Sequence, residues 1–316
     1  MTEARTEARH PMSTGIQDLP DATVLAQLLA AQMEAAAMVE QALDGIRRAA
    51  VIAVETLRKG GRLGYAGAGS SGLMALADAL ELSGSYGISP ERTPVLFAGG
   101  AAALVVMRGA VEDDAAGAEA AVAAAAFGPG DAVICVSASG RTPYSLAAAR
   151  AARARGAAVI GIANVAQSPL LDIADAPVLL DTGPEMVAGS TRMGAGTAQK
   201  IALNLISTLT GLRLGHIHDG YMINLVADNA KLRDRAERIV AAITGADAGV
   251  SQAALATADG AVKPAALLAA GARDTDHAAR LLAEGGGHLG RALAALAATE
   301  GPSARSTGHQ QGERSE

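Results

Sequence analysis

Glu81 and Glu112 each follow a strand-like run and a glycine turn, the first in GRLGYAGAGSSGLMALADALE and the second in PVLFAGGAAALVVMRGAVEDD. Two carboxylates beside an anion pocket suit general acid–base work on a phosphorylated metabolite. The pocket itself is suggested by the turn Gly67-Ala68-Gly69-Ser70-Ser71-Gly72, which follows a strand and opens a helix. A helix N-terminus offers unpaired N–H groups and the positive end of a dipole, and Ser70 and Ser71 add hydroxyl donors. The turn lacks the third glycine and acidic partner of a dinucleotide site, and the lysine of a nucleotide P-loop. A second turn, Ser137-Ala138-Ser139-Gly140-Arg141-Thr142-Pro143, also follows an apolar run, with Pro143 placed for the first turn of a helix. The hydroxyls of Ser137, Ser139 and Thr142 are close enough in sequence to wrap one phosphate. A third polar stretch, Gly183 to Lys200, contributes Glu185, Ser190 and Thr191 to the candidate binding set. Each feature has a plainer reading. The first turn is then an ordinary strand-to-helix connection, Ser190 and Thr191 are helix caps, Glu81 is a solvated helix residue, and Glu112 with Asp113 and Asp114 is an acidic helix start.

The elements that must position these groups follow from the apolar pattern. Residues 1–20 are polar and contain Pro11 and Pro20, and read as a flexible arm. From Asp21 a helical spacing of Leu25, Leu28, Leu29, Met33, Val39 and Leu43 begins and runs on to Leu57, where Lys59-Gly60-Gly61-Arg62 stops it. Strands are predicted at 62–66, 94–98, 132–137, 158–163 and 177–180, alternating with helices at 72–82, 104–108, 115–126, 143–155 and 169–174. That alternation predicts a mostly parallel sheet covered on both faces. Further helices are predicted over 194–212 and 222–244. Composition shifts near Thr244–Asp247, after which short helices broken by Gly260, Gly271 and Gly285–Gly287 suggest a small bundle. The domains are therefore expected at 21–244 and 245–300, with a disordered tail at 301–316.

Composition narrows the function. The chain has 316 residues, a formal net charge of −6, two Phe, four Tyr and no Trp. It has no basic footprint for nucleic acid, and stacking on bases or sugars is a poor expectation. Cys135 is the single cysteine, so no internal disulfide forms, and its apolar neighbours place it in a buried strand. The first residues lack an apolar signal core, and the alanine-rich run 120–127 is too short to span a bilayer. A soluble, cytoplasmic protein without a membrane partner is expected. His216 and His218 form the only close histidine pair, too few for a metal site, and no cofactor is expected.

The blocks GAGSSG, SASGRTPY and GPEMVAGSTRMGAGTAQK resemble sugar isomerase (SIS) domains, and more narrowly the N-acetylmuramic acid 6-phosphate etherases. The similarity runs from about residue 15 to residue 296 and includes VKPAALLA and ARLLAEGGGHLGRAL near the C-terminus. It implies an α/β, SIS-type three-layer sandwich with a mostly parallel sheet, plus a small C-terminal helical bundle of UBA-like type. It also implies a homodimer with sites at the interface, and a sugar-phosphate substrate. By the same resemblance Glu81, in Asp78-Ala79-Leu80-Glu81, is the catalytic acid and Glu112, in Gly109-Ala110-Val111-Glu112-Asp113, the base. Leu73 stands where the family usually has Arg, and Val111 interrupts the second motif.

The implied reaction explains the need for two carboxylates. A base removes the C2 proton, acidified by the C1 aldehyde of the open-chain sugar. An acid protonates the departing lactyl oxygen, and each group typically contributes ~10²–10⁴-fold. Burial beside Leu80 and Leu82 is expected to raise the pKa of the acid. Water then adds, giving N-acetylglucosamine 6-phosphate and D-lactate, as in cell-wall sugar recycling. Two rivals share the binding loops: an aldose–ketose isomerase, which needs no acid for an ether oxygen, and a non-catalytic sugar-phosphate sensor.

Overall fold

The computed structural model describes residues 5–225 and 230–299, so the predicted tail lies outside the described residues. The chain divides into two compact units, one ending at Leu214 and the other beginning at Gly215.

The first unit is built on five strands: β1 (Leu63–Gly67), β2 (Val95–Phe97), β3 (Ala132–Ser137), β4 (Ala158–Ala163) and β5 (Ala176–Leu179). They lie in the order β2-β1-β3-β4-β5, and every neighbouring pair is parallel. Because successive strand residues point to opposite faces, β3 feeds two cores. Ile134 and Val136 pack with Tyr65, Ile160 and Ile162 beneath α2 (Leu43–Arg58), α3 (Gly69–Tyr86) and α8 (Gly194–Arg213). Val133 and Cys135 pack with Ala66 and Val159 beneath α5 (Ala115–Ala124) and α6 (Pro143–Ala154). The result is the expected three-layer sandwich. The Cys135 thiol, fully buried, is pushed up to about 12 by desolvation, which leaves it a small apolar side chain rather than a nucleophile. Pro177 sits in β5, at one edge of the sheet, where its missing N–H costs no ladder bond to a further strand.

From β1 the chain crosses to β2 on one side, and from β3 it crosses to β4 on the other. The carboxyl ends of β1 and β3, paired through Gly67 and Val136, are thus the switch point of the sheet. This is where open parallel sheets bind ligands.

Before the sheet come α1 (Asp21–Ala37) and α2, joined by a tight turn over Met38–Ala42. By length and composition alone Asp21–Arg58 is apolar enough to cross a membrane. Yet α2 buries Ile46, Ala49, Ala53 and Leu57 in the sheet core and carries Asp44, paired with Arg47 and Arg48, on its outer side. It is a core helix with an ordinary polar face. The α1 helix differs: Leu25, Leu29 and Met33 are 65%, 61% and 64% exposed, an apolar row left uncovered by the described residues.

The stretch read as a flexible arm forms short turns at Arg5–Glu7, Pro11–Ser13 and Ile16–Asp18 that are tied to residues 181–189. Arg5 pairs with Asp181 at 2.5 Å, the Gly189 N–H donates to the Thr6 carbonyl at 3.2 Å, and Ser13 Oγ donates to the Met186 carbonyl at 2.6 Å. Arg9 and Glu185 form an isolated parallel bridge. We call these residues the strap.

The second unit holds a two-stranded hairpin, β6 (Ile217–His218) and β7 (Tyr221–Met222), and helices α9 (Ala230–Thr244), α10 (Ala248–Thr257), α11 (Val262–Ala269), α12 (Thr275–Glu284) and α13 (Leu289–Thr299). Asp247 and Asp274 cap α10 and α12 through the Val250 and His277 N–H groups. Helix α9, expected in the sheet domain, belongs here because Ile239 and Val240 pack with Leu255, Leu267 and Leu281.

Candidate active site

A polar cavity of about 310 Å³ opens at the switch point. Its walls come from five separate pieces of chain, one of them the strap with Thr6 and Glu7. The β1–α3 turn supplies Ser70 and Ser71, and the β3–α6 loop supplies Ser139 and Thr142. The turn after α4 (Gly100–Val105) supplies Glu112, and the segment before α8 supplies Gly189 and Thr191.

Gly69 opens α3 with φ +55°, a left-handed conformation that glycine adopts without penalty. A Cβ there would also come within 2.5 Å of Glu112 Oε1, so the backbone approaches the carboxylate as closely as it can. Glu112 lies on a tight helical turn, Gly109–Asp113, and is half-buried. Burial, and then the neighbouring charge of Asp113, raise its carboxyl above the usual glutamate range. That is the direction wanted in a base: a raised pKa makes the ionised form a stronger proton acceptor.

The β3–α6 loop is organised by its own hydroxyls. Ser137 Oγ accepts from the Gly140 N–H at 3.0 Å and shares a hydrogen bond of 2.8 Å with Thr142 Oγ1. Ser139 Oγ accepts from the Arg141 N–H at 3.1 Å. Gly140 has φ +63°, and a side chain there would collide with Ser168. Ser137 and Gly140 thus shape the loop from below, while Ser139 and Thr142 face the cavity. Among the described lining residues there is no lysine or arginine.

Three of the sequence candidates stand elsewhere. Glu185 is buried, and its two oxygens accept from the N–H groups of Gly194 and Ala195 at 2.9 and 2.8 Å. It caps α8, and its negative charge sits at the positive end of the helix dipole. Ser190 lies beside the cavity-lining Thr191 without lining the cavity itself. Leu82 is buried as expected, but Glu81 is exposed on α3 and Leu80 beside it is 67% exposed, so the acid itself is not buried among the described residues. From Ser70 to Glu81 the helix rises about 16 Å at the usual advance per residue.

Two features went unread in the sequence. Asp78 is buried and accepts from Tyr65 OH at 3.0 Å, Asn204 Nδ2 at 2.8 Å and Ser207 Oγ at 2.9 Å. Desolvation raises its carboxyl, against those three hydrogen bonds, which lower it. The network locks α3 onto β1 and α8, fixing how α3 presents its N-terminus. The other feature is the strap: Thr6 and Glu7 line the cavity. No periodic pattern marks them, because what holds them in place is a set of contacts to residues far along the chain.

An open parallel sheet with hydroxyl-rich loops at its switch point defines a sugar-isomerase-type domain, and the family described as SIS domain matches residues 29–164. An N-acetylmuramic acid 6-phosphate etherase of Deinococcus radiodurans is 45% identical over 92% of this chain and 95% of its own length. That of Rubrobacter xylanophilus is 42% identical over 90% of this chain and 94% of its own. Among solved structures, a phosphoheptose isomerase from Francisella tularensis aligns with 61% of this chain and 100% of its own, at 17% identity and a TM-score of 0.47. The chain belongs to the N-acetylmuramic acid 6-phosphate etherase family.

Proposed function

We propose that this protein is a carbon–oxygen lyase that cleaves the lactyl ether of N-acetylmuramic acid 6-phosphate, yielding N-acetylglucosamine 6-phosphate and D-lactate. The reading is supported by family membership over nearly the whole chain. The observation that carries it is Glu112, a carboxylate with raised pKa, in the same cavity as Ser70, Ser71, Ser139 and Thr142.

The phosphate is held by the Ser139 and Thr142 hydroxyls and by the N-terminus of α3, with Ser70 and Ser71 donating. Glu112 takes the C2 proton of the open-chain sugar. The electron pair so released forms the C2–C3 double bond as the C3–O bond breaks, and the leaving oxygen takes a proton from the acid. Water then adds to C3 of the unsaturated aldehyde, and C2 regains a proton.

By the family resemblance the acid is Glu81. It lies too far along α3 to reach the cavity of its own chain, so Glu81 of the partner subunit completes the site in a homodimer. The exposed row Leu25, Leu29 and Met33 and the exposed Leu80 favour such an assembly, since apolar surface of this kind is normally covered. The dimer would work in the cytoplasm, on sugars returned from the cell wall. Incubating the protein with N-acetylmuramic acid 6-phosphate should release D-lactate. Tight binding of that compound with no lactate would defeat the reading and return the isomerase and the sensor to consideration.

A further inference from the structure

The reaction just described leaves one carboxylate in the cavity without a task. Glu7 lines the same cavity as Glu112, is exposed, and has no hydrogen-bond or ion-pair partner of its own among the described residues. It is delivered there deliberately by the strap. The preceding Thr6 is fully buried, its carbonyl accepts from the Gly189 N–H, and Arg5 is paired with Asp181. Glu7 Oε2 lies 3.0 Å from where a Cβ on Gly189 would stand, so a side chain at 189 would crowd it. Gly189 also has φ +74°, and the strap therefore rests on a backbone position suited to glycine.

A second negative charge in a cavity for a dianion is unfavourable unless the ligand turns hydrogen-bond donors toward it. The dianion of a phosphate monoester has none. The sugar ring has several: its hydroxyls and the amide N–H of its N-acetyl group. We propose that Glu7 is a specificity residue that accepts a hydrogen bond from a hydroxyl or amide N–H of the bound amino sugar, so that the strap reads the sugar while the loops after β1 and β3 hold the phosphate. This rests on the sugar-phosphate reading above, and does not depend on which reaction follows.

The test compares two ligands by calorimetry on the full chain. Because Glu7 is exposed and unpaired, Glu7→Ala should fold with an unchanged melting temperature. It should bind N-acetylglucosamine 6-phosphate about tenfold or more weakly, the loss expected for a hydrogen bond to a charged acceptor. Its affinity for inorganic phosphate should stay the same or tighten, since a repelling charge has gone. Glu7→Gln, which keeps an acceptor oxygen, should fall between the two. Unchanged affinity of Glu7→Ala for the sugar phosphate overturns the proposal, as does an equal loss for both ligands, which would mean a general disturbance of the cavity. Failure of the proposed reaction looks different: the Glu7 variants would still show the two-ligand pattern against wild type, while wild-type protein released no lactate.

Discussion

Glu112 is the residue on which the chemistry turns, and its environment makes two tests possible. Glu112→Gln should fold and bind N-acetylglucosamine 6-phosphate, yet fail to exchange the C2 proton; product held in D₂O should gain deuterium with wild type and not with the variant. Undiminished exchange would move the base to Asp113 or elsewhere. The raised pKa also sets a sign for stability. A carboxyl raised in the folded state favours folding while protonated, and that contribution is lost as pH rises through the folded value. Ionised Glu112 is thus a small burden near neutral pH, so Glu112→Gln should melt higher than wild type at pH 7.5. The gain should vanish below pH ~4, where the glutamate is protonated in both states. Melting curves at the two pH values check this, and an equal gain at both would refute it. Ser139→Ala, one cradle hydroxyl removed, should weaken binding of a sugar 6-phosphate by about 1.5–3 kcal/mol.

At the scale of elements, α8 separates a cap from a ligand contact. Glu185 stood in the sequence as a member of the binding set, but its carboxylate spans the Gly194 and Ala195 N–H groups. Glu185→Ala should lower stability by about 1–2 kcal/mol, the cost of a lost helix cap, and change phosphate affinity less than Ser139→Ala does. A larger loss of affinity than of stability would restore it to the binding set. The strands and the two phosphate-type turns were legible because apolar runs ending in Gly-Ser turns obey local rules, and β3, β4, α5 and α6 begin at the residues expected of them. The cap was not legible, because Ser190 and Thr191 lie nearer to α8 in sequence and are equally good cap types. The strap was not legible either: Thr6 is buried and its carbonyl accepts from the N–H of the distant Gly189, a contact that no reading of residues 5–20 alone reveals. Helix α9 was misplaced for a related reason, since composition changes at Thr244 but packing changes at Gly215.

At the scale of the whole molecule, the proposed homodimer, in which Glu81 and Glu112 of one site lie on different subunits, predicts complementation between subunits. Glu81→Gln and Glu112→Gln should each be inactive in lactate release. Unfolded, mixed in equal amounts and refolded together, they should recover about a quarter of wild-type activity, because half the dimers are mixed and each mixed dimer has one site with both carboxylates. No recovery would mean that both groups act from one chain. The phosphate cradle has a further consequence for a protein of net charge −6. Its described lining holds hydroxyls, backbone and the carboxylates of Glu7 and Glu112 but no cationic side chain, so short-range dipoles attract the dianion while the distant field repels it. Added salt screens only the distant field, whose reach shrinks to ~8 Å at physiological ionic strength. Most phosphate sites weaken as salt is added; this one should hold its affinity, or gain slightly, so that the enzyme would be indifferent to changes of ionic strength around it.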